Sequence, residues 1–497
     1  MNNAMIAYIV GSVLRIEGVL LLGPCAAALW YRERVGWYYL CVAVFCELCG
    51  WLLAWLRPKN QVFYLKEGCV ATALSWLALS FFGGLPMYIS GQIPNLVDSL
   101  FEAVSGFTTT GATILSDVEH LARATLLWRS MTHWIGGMGI LVFLLAIVPL
   151  SGGSNMNIMR AESPGPSVGK LVPKVRHTAR ILYLIYIGLT VLELILLLCG
   201  GMSFFDSLNH SMATAGTGGF GVRNDSLASY TPYLQWVVTV FMIMFGVNFN
   251  AYYFIIFRQF RKAFGMEEVR YYLLIVAAAI GIVFLCVRPM YASGAEGLRH
   301  SAFQVSSIMS TTGFSTVDFD LWPQTARTIM VLLMFIGACA GSTAGGMKVS
   351  RIVIGAKTVK KELAAYLHPK SIKKIRFEGK PVEHEVVRSI NVYIITYAVV
   401  FAVSVFFVSF NNCNLETNVT AVAATINNVG PGLAMVGPTL NYGHFSVLTK
   451  CVLIFDMIAG RLELFPLLML FHPGIWKEVA RSSKLQKALH RDRNQAQ

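Results

Sequence analysis

The sequence predicts an all-α polytopic membrane protein: four pseudo-symmetric helix–pore-loop–helix repeats around one pore, plus two extra N-terminal transmembrane helices. Three observations predict it. The 497 residues are 55% hydrophobic and only 13% charged, about half of the ~25% charge with which a soluble domain coats itself. About ten stretches reach the ~20 apolar residues that a helix needs to cross hydrocarbon. Between them lie four short Gly/Ser/Thr-rich segments that resemble one another. A mean hydropathy of +0.59 excludes a disordered chain and a small disulfide-stapled module.

The apolar stretches fall at 4–30, 36–56, 67–89, 121–150, 179–201, 231–257, 270–291, 322–356, 385–410 and 444–472. Runs such as LVFLLAIVPL (141–150) lack the alternation of an outer-membrane β-barrel strand. The first stretch is too long for a removable signal peptide and lacks its small-residue cleavage site. The four short segments, 95–115, 203–222, 297–317 and 415–433, cannot span and are too apolar for ordinary loops. They read as re-entrant hairpins, because irregular backbone at membrane depth must be buried in protein or line a watery cavity. The chain then divides into two N-terminal spans (1–62), a first repeat (63–160), a second (161–264), a third (265–360), a basic cytoplasmic linker (361–383), a fourth repeat (384–476) and a basic tail (477–497).

Charge supplies an orientation. If all four hairpins enter from one side, the opposite connections (151–180, 257–270, 347–388 and 474–497) hold 26 of the 40 Lys and Arg. The hairpin side holds only Arg123, Arg223 and Arg299, with ten acids: Asp98, Glu102, Asp117, Glu119, Asp206, Asp225, Glu296, Asp318, Asp320 and Glu416. The positive-inside rule makes the basic side cytoplasmic, with both termini there, and leaves Arg32 and Arg34 as exceptions outside. The net charge of +14 thus belongs to topology, and nucleic acid is not an expected partner. An acidic outer mouth attracts cations. Nine of the ten cysteines lie in or beside spans and only Cys413 lies outside, which is packing rather than a disulfide framework.

The hairpins align on one glycine: Thr109-Thr110-Gly111, Thr217-Gly218-Gly219, Thr311-Thr312-Gly313 and Asn428-Val429-Gly430, with glycines 108, 94 and 117 residues apart. Backbone that turns successive carbonyls toward an axis needs dihedrals that glycine supplies cheaply. Rings of carbonyls can replace the hydration shell of K⁺, and each preceding half-helix would aim the negative end of its dipole at the ion. Two decoys fail on context. GTGGFG (216–221) has no strand before it for a dinucleotide fold, and GSTAGGMK (341–348) has its lysine one place late for a phosphate loop.

These residues carry a resemblance that runs essentially end to end. The four glycine hairpins, SPGPSVGKLVPKVRHTAR (163–180), HWIGGMGI (133–140), GSTAGGMK (341–348) and GRLEL (460–464) are similar to the membrane subunit of the Trk/Ktr bacterial potassium-uptake family, in its TrkH/TrkG branch. The resemblance implies K⁺ as transported ion without an organic cofactor, a homodimer in the bacterial inner membrane, and a cytoplasmic nucleotide-binding partner of the TrkA kind. It assigns K⁺ coordination to the carbonyls of Thr110, Gly111, Gly218, Gly219, Thr312, Gly313, Val429 and Gly430, with Thr109, Thr217, Thr311 and Asn428 one step further in. Plant relatives with serine in the first repeat tend toward Na⁺, so Gly111 argues for K⁺.

Residues 337–346, GACAGSTAGG, interrupt the span 322–356 with four glycines, each costing a helix about 1 kcal/mol relative to alanine. Close packing through small residues is the plain reading. The resemblance implies instead an intramembrane loop that obstructs the pore, placing Gly337, Gly341, Ser342, Thr343, Gly345 and Gly346 in a gate. Arg461 lies mid-span, where arginine costs at least ~2.5 kcal/mol unless it meets a partner or water. It is expected either to pair with Asp456 or Glu463 or to set its charge in the conduction path against the loop. Lys450, nearer the outer face, is expected to modulate selectivity by excluding extra cations. Glu47 and Glu193 are candidate proton relays or helix-interface groups. A Na⁺- or H⁺-coupled symporter is the alternative, although its usual inverted repeats do not fit four hairpins of one orientation. A membrane enzyme lacks convergent nucleophile, base or metal ligands.

Overall fold

The computed structural model describes residues 2–55, 64–139, 175–368 and 374–477. Residues 140–150 of span 121–150, most of the 163–180 segment and nearly all of the basic tail lie outside the described residues. Asn3–Leu20 runs on through Leu22–Tyr31 as one apolar stretch of 29 residues and stops at Arg32 in the left-handed conformation. It packs along Gly36–Ala54 and Leu65–Ile89. Six helices among the described residues are long and apolar enough to cross a membrane, seven if Pro232–Phe245 and Phe249–Ile256 count as one span bent by 94°.

Leu65–Ile89, Val175–Cys199, Glu267–Val287 and His384–Val408 are continuous. Of the helices that follow the hairpins, the first is described only as far as Gly139 and the other three are broken. Arg123–Met138 stops at Gly139; Pro232–Phe245 breaks before Phe249–Ile256; Gln324–Ile336 breaks before Val349–Leu367; Val447–Arg461 breaks before Phe465–Leu470. Only the third break is expected from sequence, so the continuous spans read over 231–257 and 444–472 are corrected. In the second, the Asn248 side chain caps Asn250 N and starts a new helix at once. In the fourth, Glu463 and Leu464 are left-handed, and Leu464 N donates back to Ala459 O at 2.7 Å. Neither break carries a glycine run to announce it.

Each hairpin begins with a short helix: Leu96–Phe107, Phe204–Ala215, Gly294–Met309 and Leu415–Ile426. Asn95, Ser203, Ser293 and Asn414 cap their first turns by accepting backbone N–H groups, and Asp98, Asp206, Glu296 and Glu416 sit in those turns. Four of the ten acids on the hairpin side therefore serve the positive ends of helix dipoles. One departure from an all-α chain lies in the basic linker. Arg376–Phe377 pairs antiparallel with Lys380–Pro381 across Glu378 and Gly379, both at positive φ, as a two-residue hairpin turn of type I′ requires. Glu268 N donates to the Glu378 carboxylate at 3.0 Å and Glu378 N to the Glu267 carboxylate at 3.3 Å, clasping the hairpin to the head of Glu267–Val287.

Candidate functional site

The four short helices end alike. Thr110 N donates to Ser105 O at 2.9 Å, Gly218 N to Ala213 O at 2.9 Å, Thr312 N to Ser307 O at 2.8 Å and Val429 N to Ala424 O at 2.8 Å. The preceding residues Thr109, Thr217, Thr311 and Asn428 are left-handed, at φ 55°, 53°, 57° and 54°. This is the Schellman closure, whose left-handed position is usually glycine. Three β-branched threonines there hold strain on the order of 1–3 kcal/mol each. The departure of the fourth repeat has a reason in the same place, since asparagine tolerates that conformation well.

One residue intervenes, and the chain turns left-handed again at Gly111, Gly219, Gly313 and Gly430 (φ 77°, 84°, 84° and 95°). These glycines meet the neighbouring repeats. A Cβ on Gly111 would lie 2.1 Å from Gly218 O, on Gly219 2.1 Å from Thr312 O, on Gly313 2.2 Å from Val429 O, and on Gly430 2.5 Å from Thr110 O. The contacts run from repeat to repeat and return to the first, so the structure brings Thr110, Gly111, Gly218, Gly219, Thr312, Gly313, Val429 and Gly430 into one closed ring, with Thr109, Thr217, Thr311 and Asn428 next to them in the chain. A cavity of about 120 Å³ opens beside it, lined by all four ring glycines. At its rim, the Asn224 amide donates to Asp117 at 2.9 Å and holds that carboxyl below the usual carboxylate range.

On the other side of the ring lies the interrupted third-repeat helix. Gly337, Gly341 and Gly346 take positive φ, and the loop is stitched to the break in the second repeat: Cys339 N donates to Gly246 O at 3.1 Å and Phe249 N to Gly341 O at 3.0 Å. Gly345 N donates to Thr311 Oγ1 at 2.7 Å, joining loop to ring. Arg461 reaches both, donating to Thr109 Oγ1 at 3.3 Å, Thr343 O at 2.8 Å, Gly137 O at 2.7 Å and Gly136 O. Of the acids considered for it, Asp456 accepts from Ser404 Oγ at 2.6 Å and Glu463 pairs with Arg351. A cavity of about 80 Å³ is lined by Ser342, Gly345, Lys348 and Arg461 among others. Lys450 is ion-paired with Asp98 at 2.6 Å. Glu47 lies 3.3 Å from Arg15, and Glu193 is fully buried.

Sequence reasoning passed over several groups here. The Lys348 ammonium donates to Ala344 O and Gly345 O; it closes the glycine motif, and its place beside the run was the available signal. Glu268 accepts from Ala340 N at 2.7 Å and Ser350 N at 3.2 Å, bracing both ends of the loop. Arg129 pairs with Glu102 at 2.7 Å, both buried; the rule that marked Arg461 as an intramembrane arginine applied equally to it. His133 bridges the first two repeats through Gly106 O at 2.8 Å and Phe220 N at 3.2 Å.

The TrkH family model, described as cation transport protein, matches residues 41–477. The chain is 33% identical over 489 residues to the Trk system potassium uptake protein TrkH of Escherichia coli K12, covering 96% of this chain and 100% of that one. It is 30% identical to the Trk system potassium uptake protein TrkG of the same strain, covering 95% and 98%. The crystal structure of the potassium transporter TrkH from Vibrio parahaemolyticus superposes with a TM-score of 0.86 at 32% identity, covering 96% of this chain and 100% of that one. With the family model spanning most of the chain and these relatives matched nearly end to end, the chain belongs to the TrkH family of membrane cation transport proteins.

Proposed function

We propose that this chain takes up K⁺ through a pore whose selectivity filter is the ring of backbone carbonyls from the four hairpins. The observation that carries the reading is the closed cycle of glycine-to-carbonyl approaches, Gly111 to Gly218, Gly219 to Thr312, Gly313 to Val429 and Gly430 to Thr110. Carbonyls so gathered, at the C-terminal ends of four short helices, offer a dehydrated cation both oxygen ligands and the negative ends of four dipoles. The loop 337–346 is the gate beneath it, with Gly345 tied to Thr311 and the Arg461 guanidinium placing positive charge against Thr343 and the first repeat. Lys450, balanced by Asp98, tempers cation density near the filter. As part of a Trk system, the chain works as a homodimer in the bacterial inner membrane with cytoplasmic termini, and a TrkA-like nucleotide-binding subunit acts on the basic 347–388 segment to open the gate.

Expression in a K⁺-uptake-deficient bacterium tests this. The chain restores growth at low external K⁺, and Gly313→Ala abolishes the rescue while reaching the membrane at normal level, because its Cβ would press on Val429 O at 2.2 Å. A Gly313→Ala chain that rescues fully refutes the filter assignment.

A further inference from the structure

Glu102 is the one acid of the four hairpins placed behind the ring in this way. It stands nine residues before Gly111, and the corresponding places before Gly219, Gly313 and Gly430 hold His210, Gln304 and Ala421, none a carboxylate. Its oxygens accept from Thr113 Oγ1 at 3.0 and 3.1 Å and from Ile114 N at 3.2 Å, fixing the strand of chain that leaves the first ring glycine. They also accept from Arg129 Nε at 2.9 Å, and Arg129 Nη2 lies 2.7 Å away. Arg129 continues into the second repeat: its guanidinium sits 3.9 Å from the Phe220 ring centroid and donates to Gly221 O at 3.4 Å. It also lines the 120 Å³ cavity beside the ring.

A guanidinium in the wall of a cation vestibule is a barrier unless something cancels it, and arginine cannot lose its proton. Gly221 follows Gly219 by two residues, so no more than about 7 Å of chain separates the Arg129 contact from the ring. We propose that Glu102 is the counter-charge that lets Arg129 clamp the first two loops together without repelling the transported cation, so that this buried pair sets the K⁺ affinity of the outer mouth. Both are positioning residues, since the carbonyls hold the ion. The inference rests on the filter reading above.

The two charges make the test directional. K⁺ uptake into deficient cells is measured over a range of external K⁺, with the membrane level of each variant, so that half-saturation is separated from maximal rate. Glu102→Gln unmasks the guanidinium; a unit charge ~8 Å away at an effective dielectric of ~20 changes cation occupancy by about 30-fold, and half-saturation rises accordingly. Arg129→Gln takes the positive charge out of the vestibule wall, and half-saturation does not rise beyond about threefold. The double variant, with both charges gone, returns to within about threefold of the parent. A purely mechanical clamp gives the opposite pattern, with Arg129→Gln as harmful as Glu102→Gln and no rescue in the double variant; that result, or an unchanged half-saturation in Glu102→Gln, overturns the proposal. Should Glu102→Gln fail to reach the membrane, the double variant decides alone: near-parental half-saturation supports the pair as charge and counter-charge, and a rise of about tenfold or more overturns it. Failure of the underlying filter reading is seen separately, as normal uptake by Gly313→Ala.

Discussion

Thr311→Val isolates one hydrogen bond between the ring and the loop that we propose as filter and gate. Valine keeps the shape and β-branching of threonine in the left-handed position, and removes the oxygen that accepts Gly345 N at 2.7 Å. Gly345 is buried, so in the closed arrangement its N–H would have no partner, at a cost of about 1–3 kcal/mol. An opened loop would expose that N–H to water and escape the penalty. The full cost therefore falls on the closed state, and the closed-to-open equilibrium shifts by about 5- to 150-fold toward open. The assay is K⁺ flux into liposomes containing the chain alone, with Thr311→Ser as the control that keeps the acceptor. Flux rises in Thr311→Val and stays at the parental value in Thr311→Ser. If valine and serine variants conduct alike, or if the valine variant conducts less than the parent at equal reconstitution, the assignment of this contact to the gate is wrong.

Three further outcomes are expected. Arg461→Ala, losing donors to Thr109, Thr343, Gly136 and Gly137, raises K⁺ flux in a fold-competent protein; unchanged flux refutes the proposed blocking role. Thr217 turns its hydroxyl back on Gly216 O at 2.6 Å, so Thr217→Asn relieves a left-handed β-branched residue and stabilises the purified protein by about 1 kcal/mol, read as a higher thermal midpoint with uptake retained. Glu268→Ala strands Ala340 N and Ser350 N and lowers stability by about 1–3 kcal/mol for each unpaired buried N–H, seen as a lower midpoint than that of Glu268→Gln, which keeps an acceptor.

What was legible in the sequence follows from which residues leave a chemical trace. The ring glycines did, because a left-handed turn against a neighbouring carbonyl admits no side chain, and their recurrence located all four hairpins. The left-handed residues two places earlier did not, since threonine is the opposite of what that conformation prefers. The interruption at 337–346 announced itself by glycines, whereas those at Asn248 and at Glu463–Leu464 use residues common in any helix. Charges were read by sign and side rather than by partner. The acids in the first turns of the short helices looked like an attracting mouth, Lys450 was read without the Asp98 that faces it, and the Glu102–Arg129 pair was divided between a hairpin and a span that meet only in the fold.

The cyclic arrangement of the ring also constrains how its parts can vary. The space each glycine leaves vacant is occupied by an oxygen of the next repeat, so the tolerance of any one position is set by its neighbour's backbone rather than by its own. A bulkier residue in one repeat would have to be answered by a shifted carbonyl in the next, and that shift by another, until the adjustment came back to its origin. Four unequal sequences can therefore diverge freely on their lipid-facing sides while their innermost triplets remain mutually locked.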